Sequence, residues 1–175
     1  MNDLSHYSVL LVDDVEPDID ILVNTLGNEY EVSVALDGIS ALEYVAENLP
    51  DLILLDIMMP RMDGYEVCAR LKENPRTRHI PILFLTAKIE EQDEARGLAL
   101  GALDYITKPF NTMLVKARVR NHLLLKRHQD SLEEMVREQT HELQLTQDVT
   151  IEIMGTLAEY RDSETGGHVK RTKEY

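Results

Sequence analysis

Short apolar runs alternate with segments of helical spacing over roughly the first 120 residues of the chain. Segments 9–12, 52–55 and 82–85 are runs of four apolar residues, too short for helices, and they predict buried parallel strands. Segment 32–36 alternates apolar with small or polar residues and predicts another strand, and segment 102–106 predicts a weaker fifth one.

Between these strands, apolar residues recur at intervals of three and four, which is typical of a helix with one buried face. The first helix is expected between Pro17, which suits a first helical position, and a stop at Gly27. Further helices are expected over 41–49, 65–71 and 95–99, and from Asn111 onward. Five such βα units predict one α/β domain on a doubly wound, five-stranded parallel sheet.

Polar residues stand at the carboxyl ends of four of the predicted strands: Asp13, Asp14, Asp56, Thr86 and Lys108. A doubly wound sheet gathers these ends at one edge. Three carboxylates there can bind a hard cation through oxygen, and a nearby hydroxyl and ammonium can hold the oxygens of a phosphoryl group. The combination favours phosphoryl transfer to an aspartate.

The segment 56–65 reads DIMMPRMDGY, with VDD before it at 12–14 and LTA and KPF after it at 85–87 and 108–110. In order and position, these motifs resemble the receiver domain of two-component response regulators. The resemblance implies a flavodoxin-like receiver domain over residues 1–122.

The resemblance also implies a phosphoacceptor and a cation site. Asp56 would be the catalytic residue that receives a phosphoryl group from a sensor histidine kinase or a phosphotransfer protein. Asp14 would bind Mg²⁺ directly and Asp13 through water, with Asp56 and the backbone carbonyl of Met58 as further ligands. Crowded carboxylates repel one another, so a divalent cation is also a natural way to keep all three ionised at neutral pH.

Three further residues would bind and sense the phosphoryl group, according to the same resemblance. Lys108 would pair with its oxygens and Thr86 would hydrogen-bond to them, while Tyr105 would rotate inward as Thr86 moves. Taken singly, each residue has a simpler interpretation. Thr86 could cap a strand end, Lys108 could be a solvated surface charge and Tyr105 could be half-buried packing.

The net charge of −14 and a pI near 4.8 argue against a nucleic-acid partner, because phosphate backbones would be repelled. The single cysteine permits no internal disulfide. With no targeting signal and no apolar run approaching about 20 residues, we expect a cytoplasmic protein without a membrane segment. Residues 112–129 hold five basic residues and no acid; we expect the solvated face of the last receiver helix, which could meet acidic residues of a partner.

Between residues 112 and 160 there is no proline and one glycine, so the last receiver helix is expected to run on as one long helix. Heptad positions a and d hold six apolar residues: Leu125, Leu132, Val136, Leu143, Ile153 and Leu157. Polar residues interrupt this seam: Gln129, Gln139, Thr146 and Thr150. We predict a marginal coiled-coil linker over 123–150 that forms a homodimer; the alternative is an amphipathic helix docked on its own receiver.

Residues 151–171 resemble the opening of an HD-GYP phosphohydrolase domain, the class that hydrolyses cyclic di-GMP. The resemblance implies that Glu164 and His168 are partial metal ligands, and their i,i+4 spacing puts both on one helix face. We take 151–175 as the first part of such an output domain, cut off before its HD motif. A di- or trinuclear metal centre is expected only in an intact HD-GYP domain.

Phosphorylation of Asp56 would then control a cyclic di-GMP phosphodiesterase in the full-length protein. The 175 residues contain neither the His-Asp pair nor the Gly-Tyr-Pro segment, and two ligands are too few for a catalytic metal centre. We therefore expect no hydrolase activity from this chain alone. The alternative is a stand-alone receiver or dimerisation module that acts by protein–protein interaction or as a phosphate sink.

Overall fold

The computed structural model describes residues 6–87 and 100–171, with side chains described up to residue 154 in the last helix. Its strands are β1 (Ser8–Val12), β2 (Glu31–Ala35), β3 (Leu52–Asp56), β4 (Ile82–Thr86) and β5 (Asp104–Thr107). The described helices are α1 (Glu16–Leu26), α2 (Gly38–Glu47), α3 (Gly64–Glu73) and α4 (Thr112–Arg171). The strands pair in parallel in the order β2-β1-β3-β4-β5, which confirms the predicted doubly wound sheet.

Both faces of the sheet are covered, because successive side chains of a strand point to opposite faces. One face packs α2 and α3 against alternate strand residues such as Leu10, Ile53 and Phe84. The other face packs α1 and the beginning of α4 against their neighbours, including Leu11 and Leu54. Continuous apolar runs in the sequence are therefore a direct consequence of burial on both sides.

Element boundaries differ from the sequence-based expectation by up to three residues. Helix α2 begins at Gly38 rather than Ala41, because the side chain of Asp37 accepts a hydrogen bond of 2.8 Å from the backbone N–H of Ser40 and caps the helix. Strand β5 begins at Asp104 rather than Ala102. The helix predicted over 95–99 lies outside the described residues.

Helix α4 is continuous from Thr112 to Arg171, as the lack of proline predicts. The chain forms two compact units, residues 1–127 and residues 128–175. In the first unit, α4 buries Val115, Val119 and Leu123 completely against the sheet. Among the helices that the structure describes, none combines the length and the hydropathy of a transmembrane segment.

The basic residues at the start of α4 correct one expectation. Three of the five are not simply a solvated face, because they pair with acidic residues of the same unit. The pairs are Lys116 with Glu29 at 2.7 Å, Arg118 with Asp104, and Lys126 with Asp51 at 3.5 Å. Each acid lies at a different place in the fold, so the basic run ties α4 to its own receiver.

Candidate active site

The predicted site residues meet at the carboxyl edge of the sheet. Asp13 directly follows β1, Asp56 ends β3, Thr86 ends β4 and Lys108 directly follows β5. Strand β3 lies between β1 and β4, so Asp56 occupies the middle of this edge. The convergence expected from the apolar runs is therefore present in the structure.

Three carboxylates form the core of the site. One oxygen from each of Asp13, Asp14 and Asp56 lies within 4.8 Å of the others, and the described residues hold no other such group of three. Asp13 is fully buried and Asp56 is 4% exposed, whereas Asp14 is exposed. Burial raises the pKa of the Asp56 carboxyl, and the nearby charge of Asp13 raises it further. Clustered carboxylate oxygens fit a hard divalent cation such as Mg²⁺.

The ammonium of Lys108 lies against three carboxylates. Its Nζ is 2.7 Å from Oδ2 of Asp13, 2.9 Å from Oδ2 of Asp18 and 3.3 Å from Oδ2 of Asp56. Burial disfavours the charged amine, but hydrogen bonds to Asp13 and Asp18 and the charge of Asp56 outweigh it and raise the pKa of Lys108. Lys108 is therefore a fixed positive charge beside Asp56.

Asp18 is a site residue that the sequence analysis did not identify. It stands in the first turn of α1, the helix that follows Asp13 and Asp14. A helix that begins just after a strand-end acid places its first turn over the same edge of the sheet. That position was the available signal, although a first-turn acid is equally typical of an ordinary helix N-terminus.

The loop after β3 holds Asp56 by its backbone. The N–H of Gly64 donates a hydrogen bond of 2.9 Å to the carbonyl of Ile57, and a Cβ at Gly64 would lie 2.2 Å from the carbonyl oxygen of Asp56. Only glycine fits there. The side chain of Asp63 caps α3 through the N–H of Glu66 at 2.8 Å. Asp63 and Gly64 of the motif therefore have a structural role, because they hold the beginning of α3 against the end of β3.

Met58 contributes to the site through its backbone. Its side chain is 76% exposed, and its N–H hydrogen-bonds to the carboxylate of Asp56, which lowers the pKa of that carboxyl against the stronger effect of burial. The exposed thioether places no side-chain donor against the carboxylate. The ligand role implied for the Met58 carbonyl stays a prediction.

Thr86 and Tyr105 lie on neighbouring strands and are both buried, at 7% and 6% exposure. The ring of Tyr105 packs 5.6 Å from that of Phe84, so Tyr105 is directed into the protein. The backbone N–H of Lys108 donates a hydrogen bond of 2.7 Å to the carbonyl of Thr86. Thr86 is thus joined to the backbone of Lys108, and Tyr105 lies on the strand that Lys108 directly follows.

Glu164 and His168 lie within the helical span of α4. Their side chains fall outside those that the structure describes. Their predicted role as partial metal ligands therefore stays a prediction.

Comparison with known proteins gives relatives that match the whole chain or about two thirds of it. A protein of Vibrio cholerae serotype O1 named "Probable cyclic di-GMP phosphodiesterase" is 43% identical over 182 aligned residues, which cover all of this chain and 41% of that protein. Response regulator PleD of Caulobacter vibrioides is 49% identical over 114 residues, which cover 65% of this chain and 25% of PleD. The chain thus spans less than half the length of both relatives.

A solved structure also resembles this chain. The chemotaxis protein CheY4 of Vibrio cholerae superimposes with a TM-score of 0.63 at 33% identity, covering 66% of this chain and 98% of that one. Residues 9–120 match the family described as the response regulator receiver domain. With its parallel sheet and its acidic edge, this chain belongs to the response regulator receiver family.

Proposed function

We propose that the chain accepts a phosphoryl group on Asp56, in a Mg²⁺-dependent reaction with a histidine kinase or phosphotransfer protein as donor. The main support for this proposal is the environment of Asp56. It is a buried carboxylate with the Lys108 ammonium at 3.3 Å and with Asp13 and Asp14 close by. Such a group of charges suits the transfer of an anionic phosphoryl group.

In the proposed reaction, an oxygen of Asp56 attacks phosphorus and forms the new P–O bond. The P–N bond to the donor histidine breaks, and the imidazole leaves with the electron pair, so Asp56 becomes an acyl phosphate. Lys108 stabilises the charge on the phosphoryl oxygens, and the Thr86 hydroxyl donates a hydrogen bond to one of them. Mg²⁺ held directly by Asp14, Asp56 and the Met58 carbonyl, and through water by Asp13, would neutralise charge on the phosphoryl group.

We propose that Thr86 and Tyr105 relay the phosphorylation to α4. A shift of Thr86 toward the phosphoryl group would open space beside Tyr105, whose buried orientation would be one state of the switch. The residue before Tyr105 is Asp104, whose carboxylate pairs with Arg118 and, at 3.3 Å, with His122 of α4. Through these two contacts, a movement of β5 would be transmitted directly to α4.

For the whole protein, we propose an HD-GYP output domain with cyclic di-GMP phosphodiesterase activity under control of this receiver. The support is the Vibrio cholerae relative, whose similarity extends over all of this chain and so past the receiver. Glu164 and His168 would supply two ligands of that domain's metal centre.

We also propose that the coiled-coil linker of α4, predicted over residues 123–150, pairs with a second copy of the chain. Leu132, Val136 and Leu143 are 58%, 62% and 64% exposed, although they occupy one heptad seam. Burying such a side chain is worth about 1.5–3 kcal/mol, and burial of several along the seam would offset the entropy lost on association. The polar residues Gln139 and Thr146 interrupt the seam and keep the pairing weak, so that a rearrangement of the receiver can shift its register or population.

Labelling with acetyl phosphate and Mg²⁺ tests the acceptor. The chain should gain one phosphoryl group that is stable to acid and labile to base, and Asp56→Asn should abolish it. Asp20→Asn is the matched control, because Asp20 is an exposed acid of α1 and its replacement should leave labelling intact. Equal labelling of the Asp56→Asn chain would refute the assignment. Lys108→Ala should retain some labelling but uncouple it from any change in α4.

A further inference from the structure

The structure places a fourth acidic side chain, Asp18, against the candidate active site. Its Oδ2 lies 2.9 Å from Nζ of Lys108, closer than Oδ2 of Asp56 at 3.3 Å. The Asp18 side chain is 25% exposed and that of Lys108 is 17% exposed. The pair is therefore partly withdrawn from water, where ion pairs hold geometry better than at an open surface.

Asp18 differs from the other two acids that contact Lys108. Asp13 and Asp56 belong to the carboxylate group that fits a divalent cation, and Asp56 is also the proposed acceptor. Asp18 is outside that group. Of the three acidic contacts of the ammonium, the one with Asp18 is thus the one that neither the cation site nor the phosphoryl group needs to share.

The number of donors makes this contact informative. A lysine ammonium has three N–H groups, and the structure supplies three carboxylates around it. If Asp13 and Asp18 each hold one N–H, the third is directed at Asp56, where a phosphoryl oxygen would arrive. Without Asp18, a flexible lysine side chain loses one of the two contacts that orient that third N–H.

We propose that Asp18 is a positioning residue for phosphoryl transfer, which acts by holding the Lys108 ammonium toward the phosphoryl group on Asp56. The inference rests on the proposed acceptor function and assigns it a further residue. Asp18 touches neither phosphorus nor the leaving group, and its effect passes through Lys108.

A purely electrostatic role of Asp18 predicts a different kinetic effect from a positioning role. Removing a negative charge near the site should favour capture of an anionic donor such as acetyl phosphate, and so lower its half-saturating concentration. Loss of positioning instead lowers the maximal rate constant for phosphorylation. Separating these two quantities therefore distinguishes the two roles.

The experiment measures phosphorylation of the full chain by acetyl phosphate at saturating Mg²⁺, as a function of donor concentration. Asp18→Asn and Asp18→Ala should lower the maximal rate constant, the alanine variant by about tenfold. Glu16→Gln is the matched control, because Glu16 is an exposed acid in the same first turn. Glu16→Gln removes the same charge, and its maximal rate constant should stay within about twofold of that of the wild type.

A double-mutant cycle identifies the route of the effect. In a Lys108→Ala background, Asp18→Ala should cause no further loss, since the group that it positions is gone. A nitrogen-15 NMR spectrum gives a readout without phosphoryl transfer. The Lys108 ammonium signal, assigned by its loss in Lys108→Ala, should persist in Glu16→Gln and broaden in Asp18→Ala as proton exchange with water quickens.

The outcomes separate the inference from the function on which it rests. No labelling of wild type at Asp56 would overturn both. Normal labelling with equal maximal rate constants in Asp18→Ala and Glu16→Gln would overturn the positioning role alone. Loss of rate that is additive with Lys108→Ala would also overturn it, because the effect would then bypass the lysine.

Discussion

Helix α4 carries apolar residues in both units of the chain, but their surroundings differ. In residues 112–127, Val115, Val119 and Leu123 have no exposed surface. In residues 128–154, Leu132 and Leu143 are 58% and 64% exposed. Similar residue types on one helix are therefore buried or exposed according to what packs on them. The receiver sheet covers the first stretch, and the second has a seam that a further chain could cover.

The polar contacts of the two stretches differ in the same way. In the first stretch, basic side chains of α4 reach acids on other elements, such as Glu29 and Asp104. In the second, the hydroxyls of Thr140, Thr146 and Thr150 donate to backbone carbonyls four residues earlier. These hydroxyl contacts stay within the helix and attach it to no other element, whereas the ion pairs of the first stretch fix the position of the helix.

The largest expected difference between the two stretches comes from the same substitution in each. Leu123→Ala should lower the free energy of unfolding of the receiver by about 2–5 kcal/mol, because it leaves a cavity in a packed core. Leu132→Ala should change it by no more than about 0.5 kcal/mol at low protein concentration, where association is negligible. Urea unfolding measures both. Equal losses would show that the second stretch is covered within its own chain.

The exposed seam should matter when two chains meet. Leu143→Asp should raise the dimer dissociation constant about tenfold or more, because a charge would be buried in the pairing surface. Gln144→Asp puts the same residue on the outer face of the heptad and should change it little. Sedimentation equilibrium measures both constants. A wild-type monomer at high micromolar concentration, with or without beryllofluoride, would contradict the proposed pairing.

The polar connection of the first stretch should have a smaller, pH-dependent effect. Burial opposes ionisation of Asp104, but hydrogen bonds from the backbone of Tyr105 and from Arg118 and His122 lower the pKa of its carboxyl. Asp104→Asn should therefore cost about 1 kcal/mol of unfolding free energy at pH 7, a figure reduced by the partial exposure of the site.

The sign of that effect follows from the lowered pKa. Stability from the carboxylate is present above its ordinary pKa of about 3.9 and is lost as the pH falls through the lower folded value. The difference between wild type and Asp104→Asn should thus shrink as the pH falls below about 4. Urea unfolding at several pH values measures it. A difference that grows in acid would contradict this account. Lys116→Gln, which removes an exposed ion pair, is the control and should change the free energy of unfolding little at any pH.

Much of the receiver could be predicted from local pattern. Continuous apolar runs need burial on two faces, so they indicated parallel strands, and the polar residues after them necessarily converged at one edge. Asp13, Asp56, Thr86 and Lys108 meet there as predicted. The pairing of α4 with another chain stays a prediction, because a heptad seam specifies an apolar stripe without specifying its partner.

Other features depend on which distant segments meet. Asp18 was missed because its partner, Lys108, comes from the far end of the domain, and nothing near Asp18 in the chain announces that contact. Gly64 could be read as part of a motif, but the 2.2 Å approach that excludes a side chain exists only once α3 folds back onto β3.

The sequence by itself determined the order of strands and helices along the chain and the residues at the carboxyl edge, because hydrophobic periodicity is a local property of a chain. Tertiary structure alone decided the ion pairs between α4 and the rest of the receiver. The basic residues of α4 were expected to face solvent or a partner, yet Lys116, Arg118 and Lys126 pair with acids of their own unit. A charge pattern shows where the basic side chains stand on a helix, whereas the packing of the elements decides which acids lie within reach.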